Sequence, residues 1–129
     1  MSHGGEGSPI GWVREIVLDT TQPEELSRFW ARLLGGTPTE GYDGWITLEP
    51  PPHGQRLSFQ RTASRSQGVG GMHFDVLVED LEAAHSTVLA SGGSCLQQRW
   101  SPRPGPGGEP IPWRVYADPA GHRFCLVVR

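Results

Sequence analysis

The sequence predicts an α+β domain built from two βαβββ modules, and three observations carry that prediction. The chain repeats itself at an offset of 58 residues, which lays Glu15 on His73, Gln22 on Asp80 and Gly35 on Gly93 without a gap. Each half opens on an alternating stretch, Glu15-Ile16-Val17-Leu18-Asp19 and His73-Phe74-Asp75-Val76-Leu77-Val78, the period of a strand with two unlike faces. Each strand then leads into a segment of helical spacing that stops at a glycine pair, Gly35-Gly36 or Gly92-Gly93. A half of about 55 residues is marginal by itself, so the two are expected to share one core.

The elements follow in order. Residues 12–19 form the first strand. Thr21 and Glu24 are spaced for a capping box, Pro23 suits a first turn, and Leu26, Phe29, Trp30, Leu33 and Leu34 make a helical stripe. Strands at about 44–49 and 56–61 flank the turn-rich Pro50-Pro51-Pro52-His53-Gly54. In the second half a strand spans 72–79, Asp80 caps a helix striped by Leu81, Ala84, Val88 and Leu89, and a strand runs near 94–98. The proline- and glycine-rich segment 101–110 cannot be helix or ladder. Strands at 112–117 and 122–128 close the chain around the turn Asp118-Pro119-Ala120-Gly121. The expected organisation is a flexible leader, 1–10, and a single domain, 11–129, whose modules 11–61 and 72–129 are joined by the polar linker 62–71.

Composition excludes several function classes. With 129 residues, a net charge of -3 and no basic run, the chain lacks the footprint of a nucleic-acid binder. No apolar stretch reaches the roughly 18 residues a membrane span needs. Two cysteines, Cys95 and Cys125, are no disulfide framework, and the expected compartment is the cytoplasm.

Strand parity points to where chemistry would sit. One face of each long strand is apolar, with Ile16 and Leu18 in one and Phe74, Val76 and Val78 in the other. The opposite faces carry Glu15 and Asp19, then His73 and Asp75. Ser58 and Gln60 share a face, as do Arg123, Cys125 and Val127. Polar groups on a concave sheet face need water, partners or a ligand, so a curled sheet would bring Glu15, Gln60, His73 and Cys125 towards one pocket. Trp45, Trp100 and Trp113 are candidate lining for it. His73 and Glu15 can act as an acid/base pair or simply hydrogen-bond each other. Cys125 reads as a small buried hydrophobe rather than a nucleophile.

The run from Asp19 through Phe29-Trp30 to Leu34-Gly35, then His73-Phe74-Asp75, then Asp118-Pro119-Ala120-Gly121-His122-Arg123-Phe124-Cys125-Leu126, resembles the vicinal oxygen chelate superfamily. Within it, the chain looks like the glyoxalase-like proteins, and the resemblance covers roughly residues 12–128. It implies a cupped mixed sheet with a ligand site inside, and frequently a homodimer. In metal-dependent members such as glyoxalase I, four positions hold a divalent metal. Carried over residue by residue, these look like Glu15, Gln60, His73 and Cys125. Gln60 and Cys125 depart from the usual pattern; a thiolate favours soft ions such as zinc, and the divalent metal of such a site would be zinc, nickel or iron.

The expectation that follows is a small-molecule-binding protein of the bleomycin-resistance type, with no cofactor. The alternative is a metal-dependent lyase or isomerase of the glyoxalase type using Glu15 and His73.

Overall fold

A computed structural model describes residues 13–63, 73–101 and 104–128. The expected leader, and the part of the expected linker from residue 64 to 71, lie outside the described residues. The chain runs β1 (Glu15–Thr20), α1 (Pro23–Leu34), β2 (Thr37–Glu40), β3 (Trp45–Glu49), a 3₁₀ turn (Pro52–Gly54) and β4 (Arg56–Arg61). The second half runs β5 (Phe74–Val78), α2 (Leu81–Ala90), β6 (Ser94–Trp100), β7 (Pro112–Ala117) and β8 (Arg123–Val128). The eight strands divide into two four-stranded mixed sheets, ordered β1-β4-β3-β2 and β5-β8-β7-β6. In each, the module's first strand pairs parallel with its last, and the other pairs are antiparallel. None of the described helices is long and apolar enough to cross a membrane.

One core spans both modules. Leu26, Phe29 and Trp30 of α1 are almost wholly buried, and Trp30 has 0% exposure. Phe29 and Trp30 pack on the first sheet and turn their ring edges towards the second: Trp30 lies 4.9 Å from Phe124 and 5.7 Å from Phe74 between ring centroids. A fully buried Trp of this kind contributes on the order of 3–5 kcal/mol against truncation. Asp118 supplies the polar half of the same junction. It is only 4% exposed and accepts the Trp30 indole N–H on Oδ2 at 3.0 Å. Its Oδ1 accepts the backbone N–H groups of Ala120 and His122. One carboxylate therefore both shapes the β7–β8 turn and fastens the first module's helix to it.

Two local expectations are corrected, and one strand is added to those expected. The Thr21–Glu24 capping box does not form: the N-cap is Gln22, whose N–H goes to Thr20 Oγ1, while Glu24 pairs with Arg61. Asp80, by contrast, caps α2 by accepting the Ala83 N–H at 3.0 Å. The short edge strand β2, Thr-Pro-Thr-Glu, was not marked by any apolar alternation. Leu89, expected in the α2 stripe, is exposed, and the helix buries Leu81 and Val88 instead.

Candidate functional site

Pairing registers place the polar faces residue by residue. In the first sheet Ile16 lies opposite Leu57 and Val17 opposite Ser58, so Glu15, Val17, Ser58, Thr47 and Trp45 share the face away from α1. These residues form a chain of hydrogen bonds. The Trp45 indole N–H donates to Thr47 Oγ1 at 3.1 Å, Thr47 and Ser58 hydroxyls meet at 2.9 Å, and Ser58 Oγ donates to Glu15 Oε1 at 2.6 Å. Arg56 and Glu49 pair on the same face. Thr47 had carried no mark in the sequence beyond its strand parity with Trp45.

In the second sheet Phe74 lies opposite Phe124 and Asp75 opposite Cys125. His73, Asp75, Cys125, Val127 and Trp113 therefore share the face away from α2. His73 Nε2 stands 3.3 Å from Asp75 Oδ1, with both side chains more than half exposed. The donor atoms of His73, Asp75 and Cys125 all lie within 4.8 Å of one another. Cys125 is buried, and burial pushes its thiol pKa up, with the Asp75 carboxylate adding in the same direction. A thiol held this way is a poor nucleophile without a cation beside it.

Two clefts share His73 and Asp75 in their linings, and Cys125 lines neither. One, of about 550 Å³, is lined by apolar side chains of both modules, including Ile16, Leu34, Leu57 and Phe74, with His53, Gln55, His73 and Asp75 as polar members. The other, of about 350 Å³, lies along Trp113, Ile111, Val127 and Ser101 and again includes His73 and Asp75. His85, outside both, meets the buried Tyr116 hydroxyl at 2.7 Å and is a packing residue of α2.

The expected residues are not all gathered. Glu15 does not pair with His73: its carboxylate accepts a hydrogen bond from the Ser58 hydroxyl, and His73 faces Asp75. Gln60 is exposed and lies opposite Asp19 and Trp45, two residues beyond the position that reaches Glu15. By register the first-module counterpart of Cys125 is Ser58, not Gln60, because Leu57 and Phe124 are the matched core residues. Trp100 pairs with Pro112 on the helix side of its sheet and is 57% exposed, so it faces away from the group. Arg123 is exposed at the start of β8 and lines neither cleft. Glu15, Gln60, His73 and Cys125 thus do not form a single metal donor set among the described residues. A metal bridging the two modules through them does not fit this geometry.

Comparison with known proteins agrees with the architecture. A family model described as a glyoxalase-like domain matches residues 15–127. Curated proteins give no sequence match. Among solved structures, a genomically encoded fosfomycin resistance protein, FosX, from Listeria monocytogenes superposes with a TM-score of 0.74 at 12% identity, covering 93% of this chain and 91% of the other. A glyoxalase-related enzyme from Fulvimarina pelagi gives 0.66 at 18% identity over 93% and 89% of the two chains. A glyoxalase/bleomycin resistance protein from Albidiferax ferrireducens T118 gives 0.64 at 18% identity over 89% and 97%. At such identities these structures speak for the fold alone. With its two βαβββ modules and a family model that spans nearly all of both, the chain belongs to the glyoxalase-like domain family of the vicinal oxygen chelate superfamily.

Proposed function

We propose that this chain binds a small organic molecule where the two clefts meet at His73 and Asp75. The observation that carries the proposal is the meeting itself: an apolar cleft of about 550 Å³ and a tryptophan-walled one of about 350 Å³ share these two exposed polar residues. Small-molecule sites typically offer a few hundred to about 1,000 Å³, mostly apolar, with a few polar groups that fix orientation. The chemistry favours an apolar or aromatic body carrying at least one hydrogen-bond donor for the Asp75 carboxylate. Trp113 supplies a flat surface for such a body, and Leu34, Leu57 and Phe74 supply the greasy end. The fosfomycin-resistance and bleomycin-resistance names of structural relatives are in keeping with small organic ligands.

A homodimer belongs to the same proposal. Val17 and Leu77 are exposed on the faces away from the helices, Leu77 by 53%, and a second copy would cover them. Analytical ultracentrifugation at micromolar concentration checks that part, with a monomer as the refuting result.

The ligand proposal is tested by thermal-shift screening with amine- and hydroxyl-bearing aromatic compounds. A ligand at about 100 times its Kd stabilises the fold by about 2.7 kcal/mol, which raises Tm by several degrees in a domain of this size. Hits should lose this shift in both Asp75→Asn and Trp113→Ala. Hits that persist unchanged in both variants place binding elsewhere and end the proposal.

A further inference from the structure

The cross-module metal set fails, yet the donors that do converge have a chemistry of their own. From their geometry we infer that His73, Asp75 and Cys125 form a soft divalent-cation site, zinc being the best match, confined to the second module. Tetrahedral nitrogen and oxygen ligands at about 2.0–2.1 Å from zinc stand roughly 3.3 Å apart. His73 Nε2 and Asp75 Oδ1 are 3.3 Å apart. A thiolate at about 2.3 Å stands roughly 3.6 Å from either of them. All three donor atoms already lie within 4.8 Å of each other, so closing the site takes about 1 Å of side-chain movement.

The backbone supports this placement. Cys125 sits directly opposite Asp75 in the parallel β5–β8 pairing, and His73, immediately before β5, is two residues back from Asp75. The cysteine end is buried and held by the sheet, whereas His73 and Asp75 are exposed and free to adjust. Imidazole, carboxylate and thiolate together suit zinc, and calcium or magnesium would reject the sulfur. Three protein ligands leave a fourth position open, and two of the three, His73 and Asp75, also line the clefts. This cation site stands on donor geometry and holds whether or not an organic ligand occupies the clefts.

The experiment is metal binding to the full chain, with no ligand or turnover involved. Metal-free protein is loaded with zinc, desalted and analysed for metal. Cobalt(II) is loaded separately and its spectrum recorded. One equivalent of zinc should be retained. Asp75→Asn and His73→Ala should weaken binding at least tenfold, and Glu15→Gln and Gln60→Ala should leave it unchanged. The cobalt protein should show a near-ultraviolet thiolate-to-metal band that is missing in Cys125→Ser. Because Cys125 is buried, its variant is checked for native circular dichroism, and Asp75→Asn, on the surface, gives an arm free of folding effects. Three results would each overturn the inference: no stoichiometric zinc, a cobalt band that survives Cys125→Ser, or a loss in Glu15→Gln equal to that in His73→Ala. None of these depends on the ligand screen, so either proposal can fail alone.

Discussion

Asp118→Asn is the most informative single substitution for the way the modules are joined. The carboxylate divides its work: Oδ1 receives the Ala120 and His122 N–H groups, Oδ2 receives the indole N–H of Trp30, and the His122 ring Nδ1 stands 3.0 Å from Oδ2. An asparagine can keep its oxygen on the turn amides but then turns an NH₂ towards another N–H. Trp30 is fully buried, so its indole N–H would be stranded away from water. A buried donor left without a partner costs about 1–3 kcal/mol, and bonds to charged acceptors lie at the upper end of that range. The expected loss is therefore about 2–3 kcal/mol, survivable for a domain with a stability of about 5–15 kcal/mol. The decisive assay is a double-mutant cycle by urea unfolding. Trp30→Phe removes the donor and costs about 2–4 kcal/mol through lost ring volume. In that background Asp118→Asn should cost about 1 kcal/mol, the part owed to the His122 ring and the turn amides losing a charged partner, since no indole N–H remains to strand, which gives a coupling of about 1–2 kcal/mol. If the two changes add to within about 0.5 kcal/mol with unchanged denaturant slopes, the Trp30–Asp118 bond does not join the modules.

Two further outcomes follow from the same core. A Cβ at Gly93 would stand 2.6 Å from Val88 Cγ1 and 3.2 Å from Phe29 Cε1, so Gly93→Ala should destabilise by about 1–3 kcal/mol in thermal melts, and a neutral result would contradict that close approach. Burial raises the Tyr116 phenol above its ordinary value of 10.0, the opposing pull of Arg114 being smaller. A folded pKa above the unfolded one means that this contribution to stability is complete below about pH 10 and is lost as pH climbs through the folded value. Ultraviolet titration of a Tyr42→Phe variant isolates Tyr116, and tyrosinate appearing at or below the ordinary phenol pKa in folded protein would contradict the burial effect.

Local rules were readable where a side chain had a single good use. Asp80 has no nearby competitor and caps α2 as its position implies. Thr21 and Glu24 had the right spacing, but Arg61, 40 residues away in the chain from Thr21, engages the Thr21 carbonyl and the Glu24 carboxylate, which no local pattern could reveal. Strand parity had the same strength and the same gap. It puts Ser58 and Gln60 on one face, as the structure does, but a period of two cannot say which of them stands beside Glu15. That choice depends on the β1–β4 register, and the register is set by Leu57 and Phe59 finding the core opposite Ile16 and Leu18. Trp100 fails for a related reason: the pairing of β6 with β7 shifts between Cys95 and Gln97, so counting by twos from the start of the strand misplaces its end.

The duplication explains why the two polar faces now differ in use. Register makes Glu15 equivalent to His73, Val17 to Asp75 and Ser58 to Cys125. In the first module the third position is a hydroxyl, which donates to the first, a carboxylate, and the bond extends through Thr47 to Trp45. Every member of that chain has its partner within the sheet, so little is left for a ligand to satisfy. In the second module the first position is an imidazole, the third a thiol, and the intervening apolar residue has become a carboxylate. A thiol is a weak donor and cannot do for His73 what Ser58 does for Glu15. His73 and Asp75 stay exposed at the junction of two clefts while Cys125 is buried beneath them. Equivalent backbone positions thus serve internal bonding in one half and stay exposed at two clefts in the other.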